Sequence, residues 1–178
     1  MSPYSNHNYR PFNQDFWRLS GIFRDVYLEI KNKTLKSICE VILRDFHINI
    51  PLVLEFADLI SHEDIKNETL SLIALRGYEV DRSLVGKISD VRIKDDTLSK
   101  ICGFLEEEAR LGDAADQIDK AKLEDALVFA YQISDERQKT QTFAPLILSF
   151  LEINHTDPAL AMIEALSNER LKIDLFVD

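Results

Sequence analysis

One six-residue phrase occurs five times in the chain and constrains its fold more than any other feature. It reads Ile30-Lys31-Asn32-Lys33-Thr34-Leu35, then Ile65-Lys66-Asn67-Glu68-Thr69-Leu70, then Ile93-Lys94-Asp95-Asp96-Thr97-Leu98. Two looser copies follow, Gln138-Lys139-Thr140-Gln141-Thr142-Phe143 and Leu171-Lys172-Ile173-Asp174-Leu175-Phe176. Four copies share a start: Ser61-His62-Glu63-Asp64, Ser89-Asp90-Val91-Arg92, Ser134-Asp135-Glu136-Arg137 and Ser167-Asn168-Glu169-Arg170. Self-similarity at a few tens of residues predicts units that each bury an apolar face on the next.

The segments between phrases read as helices. The 178 residues include 5 Gly and 5 Pro, too few to break the chain often. Asn13 is expected to cap a short helix carrying Phe16, Trp17, Leu19, Ile22 and Phe23, and the first phrase opens a helix to about Phe46. Pro51 suits a first helical turn, and Leu52, Val53, Phe56, Ala57 and Ile60 form the return helix. Ser61 is expected to cap the next helix, which ends near Gly77-Tyr78, with a short partner running to Ile88. A third long helix runs from Ser89 to Leu111 and stops at Gly112-Asp113; Leu123, Ala126, Leu127, Ala130 and Ile133 return. A fourth runs from Asp135 to Ile153, returns through Ala159, Ile163 and Leu166, and leaves the last phrase to open a lone helix. The expected architecture is all-α, a right-handed solenoid of antiparallel helix pairs with about ten helices. Residues 1–12 form an N-terminal arm and 13–178 a single domain.

This pattern resembles the tetratricopeptide-like helical repeats, above all a divergent bacterial variety. In that variety a Ser/Asp-capped helix with a basic residue and an Ala/Ile stripe precedes Gly-Asp and an Ala-rich return helix. The resemblance spans roughly residues 26 to 176. The strict Trp, Gly, Tyr, Ala and Pro set at a 34-residue period is absent, and successive phrase lysines lie 35, 28, 45 and 33 residues apart. HEAT-like or other α-solenoid stacking stays open. The resemblance implies a scaffold whose concave face holds a peptide or helix.

Charge narrows the partners. The net charge is −10; residues 1–60 carry 7 basic and 7 acidic side chains, so the excess lies in 61–178. Such a surface disfavours nucleic acid and anionic membranes and suits a basic protein partner. No apolar run approaches a membrane span and the start lacks signal-peptide character, so a cytoplasmic protein is expected.

No catalytic signature is legible, and a non-catalytic protein without cofactor or metal is expected. Cys39 and Cys102 each follow the phrase Thr by five positions, as do Ala74 and Ile147, which marks a small core slot rather than redox or zinc chemistry. His7, His47, His62 and His155 have no metal-ligand spacing. Two sets of residues remain as candidate partner-binding positions. Glu106, Glu107, Glu108, Asp113, Asp116 and Asp119 surround a turn in the longest unit, where an insertion into a repeat often carries binding. Lys66 and Lys94, with the other phrase lysines, fall inside the apolar arc. Each must run its stem along apolar surface and pair its ammonium, Lys66 with Asp58 for example, or else form a ladder for an acidic ligand. The leading function is a protein–protein interaction module. Self-association through Leu171, Leu175 and Phe176, and a ligand-binding or enzymatic site in the groove, are the alternatives.

Overall fold

The computed structural model describes residues 12–44, 49–78, 81–111 and 118–166, with side chains from Ser20 onward. These residues form seven α-helices and one 3-10 helix, and among them there is no strand. The protein is all-α over this span. The helices are α1 (Phe12–Ile42), α2 (Ile50–Asp58), α3 (Glu63–Gly77), α4 (Val91–Arg110), α5 (Lys120–Ala130), α6 (Glu136–Glu152) and α7 (Thr156–Ala165). The 3-10 helix, Arg82–Lys87, stands where a short return helix was expected. The arm up to Pro11, His47, Asp113, Asp116, Lys172 and the fifth phrase lie outside the described residues.

The expected break between a short first helix and the phrase helix is absent. α1 runs unbroken through 31 residues, because it holds no proline and its interior Gly21 costs only about 1 kcal/mol relative to alanine. Its long partners begin much closer to the phrase. Helices α3, α4 and α6 start two residues before it, at Glu63, Val91 and Glu136.

Aspartates cap α4, α5 and α6. The Asp90 carboxylate accepts from the N–H of Arg92 and Ile93, Asp119 from Ala121 and Lys122, and Asp135 from Gln138. Each satisfies donors that the first helical turn leaves without partners. Ser61, the expected cap of α3, is displaced from that role: the N-cap is His62, which makes no side-chain cap bond. At its other end α6 closes on Asn154, the one non-glycine residue with positive φ (57°) among the described residues. There His155 N donates to Phe150 O (2.8 Å) and Asn154 N to Leu151 O (2.9 Å), a Schellman closure.

The long helices follow one another in contact, α1 on α3, α3 on α4 and α4 on α6. The shorter elements fill in beside them, with α2 on α1 and α3, the 3-10 helix on α3 and α4, α5 on α4 and α6, and α7 on α6. The phrase sets the register of the core. Leu70, Leu98 and Phe143 are buried, as are Ile73, Ile101 and Leu146 three positions later. Cys39, Ala74, Cys102 and Ile147 occupy the small slot, and Cys102 Sγ donates to Ala126 O (3.2 Å) on its return helix. Gly77 is the one described glycine whose added Cβ would meet neighbours. A Cβ there would lie 2.8 Å from Leu84 Cδ1 and 3.0 Å from Ile50 Cδ1.

Candidate functional site

Polar groups join successive helices at fixed phrase positions. The third phrase residue is buried in the first three copies, and its oxygen receives the serine that starts the next one. Asn32 Oδ1 accepts from Ser61 N (3.0 Å) and Ser61 Oγ (3.3 Å), and Asn67 Oδ1 from Ser89 N (2.9 Å), while the single Ser89 hydroxyl proton goes to Glu63 Oε1 (2.5 Å). Asp95 takes the N–H of Ser134 on both oxygens (3.0 and 3.1 Å) and that of Asp135 on Oδ2 (2.9 Å). The recurring serine therefore serves the preceding helix and leaves capping to the residue after it. A buried amide or carboxylate without these donors would cost about 1–3 kcal/mol, so the pairs fix how far one helix sits from the next.

A second set of hydroxyls gives direction. Every phrase threonine on α1, α3, α4 and α6 donates to the carbonyl four residues back: Thr34 to Ile30, Thr69 to Ile65, Thr97 to Ile93, Thr140 to Glu136 and Thr142 to Gln138. A hydroxyl has one proton, so the contacts Ser71 Oγ to Thr97 Oγ1 (2.7 Å) and Ser99 Oγ to Thr142 Oγ1 (2.8 Å) have serine as donor. Thr97 and Thr142 thus face the preceding long helix. Two positions on, the serine faces the following one.

The phrase lysines on α1, α3, α4 and α6 are all half-buried. Lys66 Nζ lies 3.1 Å from Asp58 Oδ1, the acid on the return helix before it. Lys94 occupies the matching place in the first turn of α4.

The acidic candidates have separate local roles. Glu106 accepts from Ser149 Oγ (2.7 Å) and pairs with Arg110, whose Nη2 reaches Ser149 Oγ (2.7 Å) and whose Nη1 reaches Glu152 (3.0 Å), tying α4 to α6. The Glu106 hydrogen bond raises the Arg110 pKa, so the guanidinium keeps its charge. Glu108 pairs with Lys122 of α5 at 2.7 Å, and Asp119 caps that helix. Glu107 stands in the wall of an open groove.

That groove, about 780 Å³, crosses three long helices. Glu40, Leu43 and Arg44 come from the end of α1 and the turn after it; Leu72, Leu75, Arg76 and Tyr78 from α3 and its C-cap; Phe104, Glu107, Glu108 and Leu111 from the end of α4. Phe104 and Leu111 are exposed in it, 46% and 74%. Sequence reasoning missed this apolar floor. The three-residue step from Leu72 to Leu75 was legible, but the groove exists only where three helix ends lie side by side.

No family model, curated protein or solved structure matches the chain. Its chemistry therefore rests on its own geometry. Among the described residues, no three His, Cys, Asp or Glu side chains gather as a metal site, and no helix is long and apolar enough to cross a membrane.

Proposed function

We propose that the chain is a non-catalytic protein–protein interaction module, an adaptor, scaffold or chaperone-like holder. It takes an amphipathic peptide or helix of a partner into the groove across α1, α3 and α4. The observation that carries this reading is the groove's lining, an apolar floor of Leu72, Leu75, Phe104 and Leu111 with charged side chains at its edges. Helix-in-groove recognition needs that combination, with apolar anchors for affinity and rim charges for orientation. The net charge of −10 and Glu107 in the wall favour a partner with basic residues beside its apolar ones. In the same proposal the helices are units of a right-handed solenoid of tetratricopeptide-like pairs. The recurring phrase register and the polar contacts from each long helix to the next support it.

The test is affinity capture from the source cell's lysate at low and high salt, with Phe104→Ala and Glu107→Lys beside the unchanged chain. Phe104 is half exposed, so its loss should weaken partner recovery by about tenfold with little change in stability. Glu107→Lys should reduce recovery of a basic partner at low salt and flatten the salt dependence. Equal recovery by all three proteins would sink the groove reading.

A further inference from the structure

We propose that the fifth phrase of this chain docks on α6 as the next long helix, with the Ser167 hydroxyl on the Glu136 carboxylate. Residues 167–178 lie outside the described residues, and features of α6 and α7 point to them as the occupant. The docking uses a different surface from the groove and is independent of it.

The approach to Ser167 is set by the residue before it. Ile60, Ile88, Ile133 and Leu166 each precede a recurring serine, and they are 3%, 3%, 1% and 1% exposed. Each donates its N–H to the carbonyl three residues back, on Ala57, Val85, Ala130 and Ile163. Ile88 leaves that turn with φ −78° and ψ 118°, and Leu166 with φ −74° and ψ 121°. Two buried anchors with the same dihedrals hand the chain on in the same local direction. From Ile88 that direction brings Ser89 onto α3.

α6 has an acceptor in the corresponding place. Glu136 lies two positions after a recurring serine and four before the third phrase residue, as Glu63 does on α3. Glu63 Oε1 accepts the Ser89 hydroxyl at 2.5 Å, whereas Glu136 Oε2 is buried and has no hydrogen-bond partner among the described residues. A buried carboxylate oxygen left without a donor is costly, and a hydroxyl brought to it removes the cost. Thr140, at the phrase position of Asn67, is 7% exposed and spends its proton on Glu136 O (2.8 Å). Its oxygen is therefore open to the Ser167 N–H.

The next contact changes on both sides at once. Ser71 meets Thr97, and Ser99 meets Thr142, where one long helix adjoins the next. At the corresponding positions α6 carries Ala144 and the fifth phrase carries Leu175, so an apolar pair replaces a hydroxyl pair. A change on one side alone would bury an unpaired hydroxyl. This matched exchange and the unpartnered Glu136 oxygen select the chain's own segment over a foreign partner.

Disulfide trapping in the full chain tests the docking. Thr97 is buried and Asp96 beside it is exposed, so on a docked helix Leu175 faces Ala144 and Asp174 does not. Ala144→Cys with Leu175→Cys should close an intramolecular disulfide on mild oxidation, and Ala144→Cys with Asp174→Cys should close about tenfold less. Cys39 and Cys102 are buried and do not compete. An undocked tail would close both pairs alike, since their loops differ by one residue. A double-mutant cycle on urea unfolding probes the polar contact separately. Ser167→Ala should lower the folded-to-unfolded ratio about fivefold, and in a Glu136→Ala background it should change nothing. Equal trapping of the two pairs, trapping of neither, a disulfide between two chains, or additive losses in the cycle would each overturn the docking.

Discussion

Asn67 and Ser89 hold α3 to the start of α4 through the Asn67 amide oxygen. Asn67 Oδ1 accepts the Ser89 N–H at 2.9 Å, the Ser89 hydroxyl donates to Glu63 Oε1 of the same helix at 2.5 Å, and Asn67 is 2% exposed. The same geometry joins Asn32 to Ser61, and in the third copy a carboxylate, Asp95, does the same work.

That substitution between copies makes a prediction. Asn67→Ala removes the acceptor of the part-buried Ser89 N–H bond and should cost about 1 kcal/mol in chemical denaturation. Asn67→Asp keeps the acceptor and should cost less than Asn67→Ala. Equal losses would show that volume, not the hydrogen bond, matters at this position.

A methyl group at Gly77 would force Leu84 to shift. Its Cβ would meet Leu84 at 2.8 Å and Ile50 at 3.0 Å, and both side chains are buried in the core. Gly77→Ala is helix-favouring by propensity, yet the clash should make it destabilising by about 1–3 kcal/mol. In a Leu84→Ala background Gly77→Ala should cost less than in the unchanged chain, read as the coupling term of a double-mutant cycle.

Burial pushes the Cys102 thiol up to about 12, and the Cys39 thiol upward too. Near neutral pH almost no thiolate forms, and the thiolate is the reactive species. Iodoacetamide should therefore label neither cysteine in the folded chain and both in urea. Labelling of Cys102 at the rate of a free thiol under native conditions would refute its place in the core.

Acid should weaken the fold partly through a helix cap. The Ile93 N–H, with that of Arg92, holds the Asp90 carboxyl below the usual carboxylate range. A group with a lowered folded pKa contributes fully above its unfolded value, about 4, and loses that contribution as pH falls through the folded value. Asp81, bonded by Ser83, and Glu29, bonded by Lys33, shift the same way. Asp90→Asn retains a cap acceptor without titrating. Denaturation midpoints of this variant and the unchanged chain should converge as the pH drops below 4; a constant difference across that range would exclude the cap as a source of acid sensitivity.

Much of the fold was legible because local chemistry decides it. The phrase copies set helix starts, Cys39 and Cys102 shared a slot with Ala74 and Ile147, and Asp58 was in reach of Lys66 by spacing alone. Three readings did not survive contact with the structure, each for a local reason. α1 continues through Gly21 without a break, the return after Gly77 is a 3-10 turn, and the recurring serine points back to Asn32 or Asn67 instead of capping. The acidic run looked like one patch. Its described members divide among an α4–α6 tie, an α4–α5 pair, a helix cap and the groove wall, because neighbouring positions on a helix point in different directions.

The sequence by itself determined the helical class, the register of the core and the recurrence of its polar positions, since these depend on residues three to five apart. Only the tertiary structure decided which polar residues meet, that three helix ends enclose a groove, and that the threonine face is sealed on α3, α4 and α6 but open on α1. Those outcomes depend on residues 22 to 43 positions apart in the paired cases, such as Asn67 with Ser89 and Ser99 with Thr142. Spacing along one helix carries no information about which neighbour will cover it.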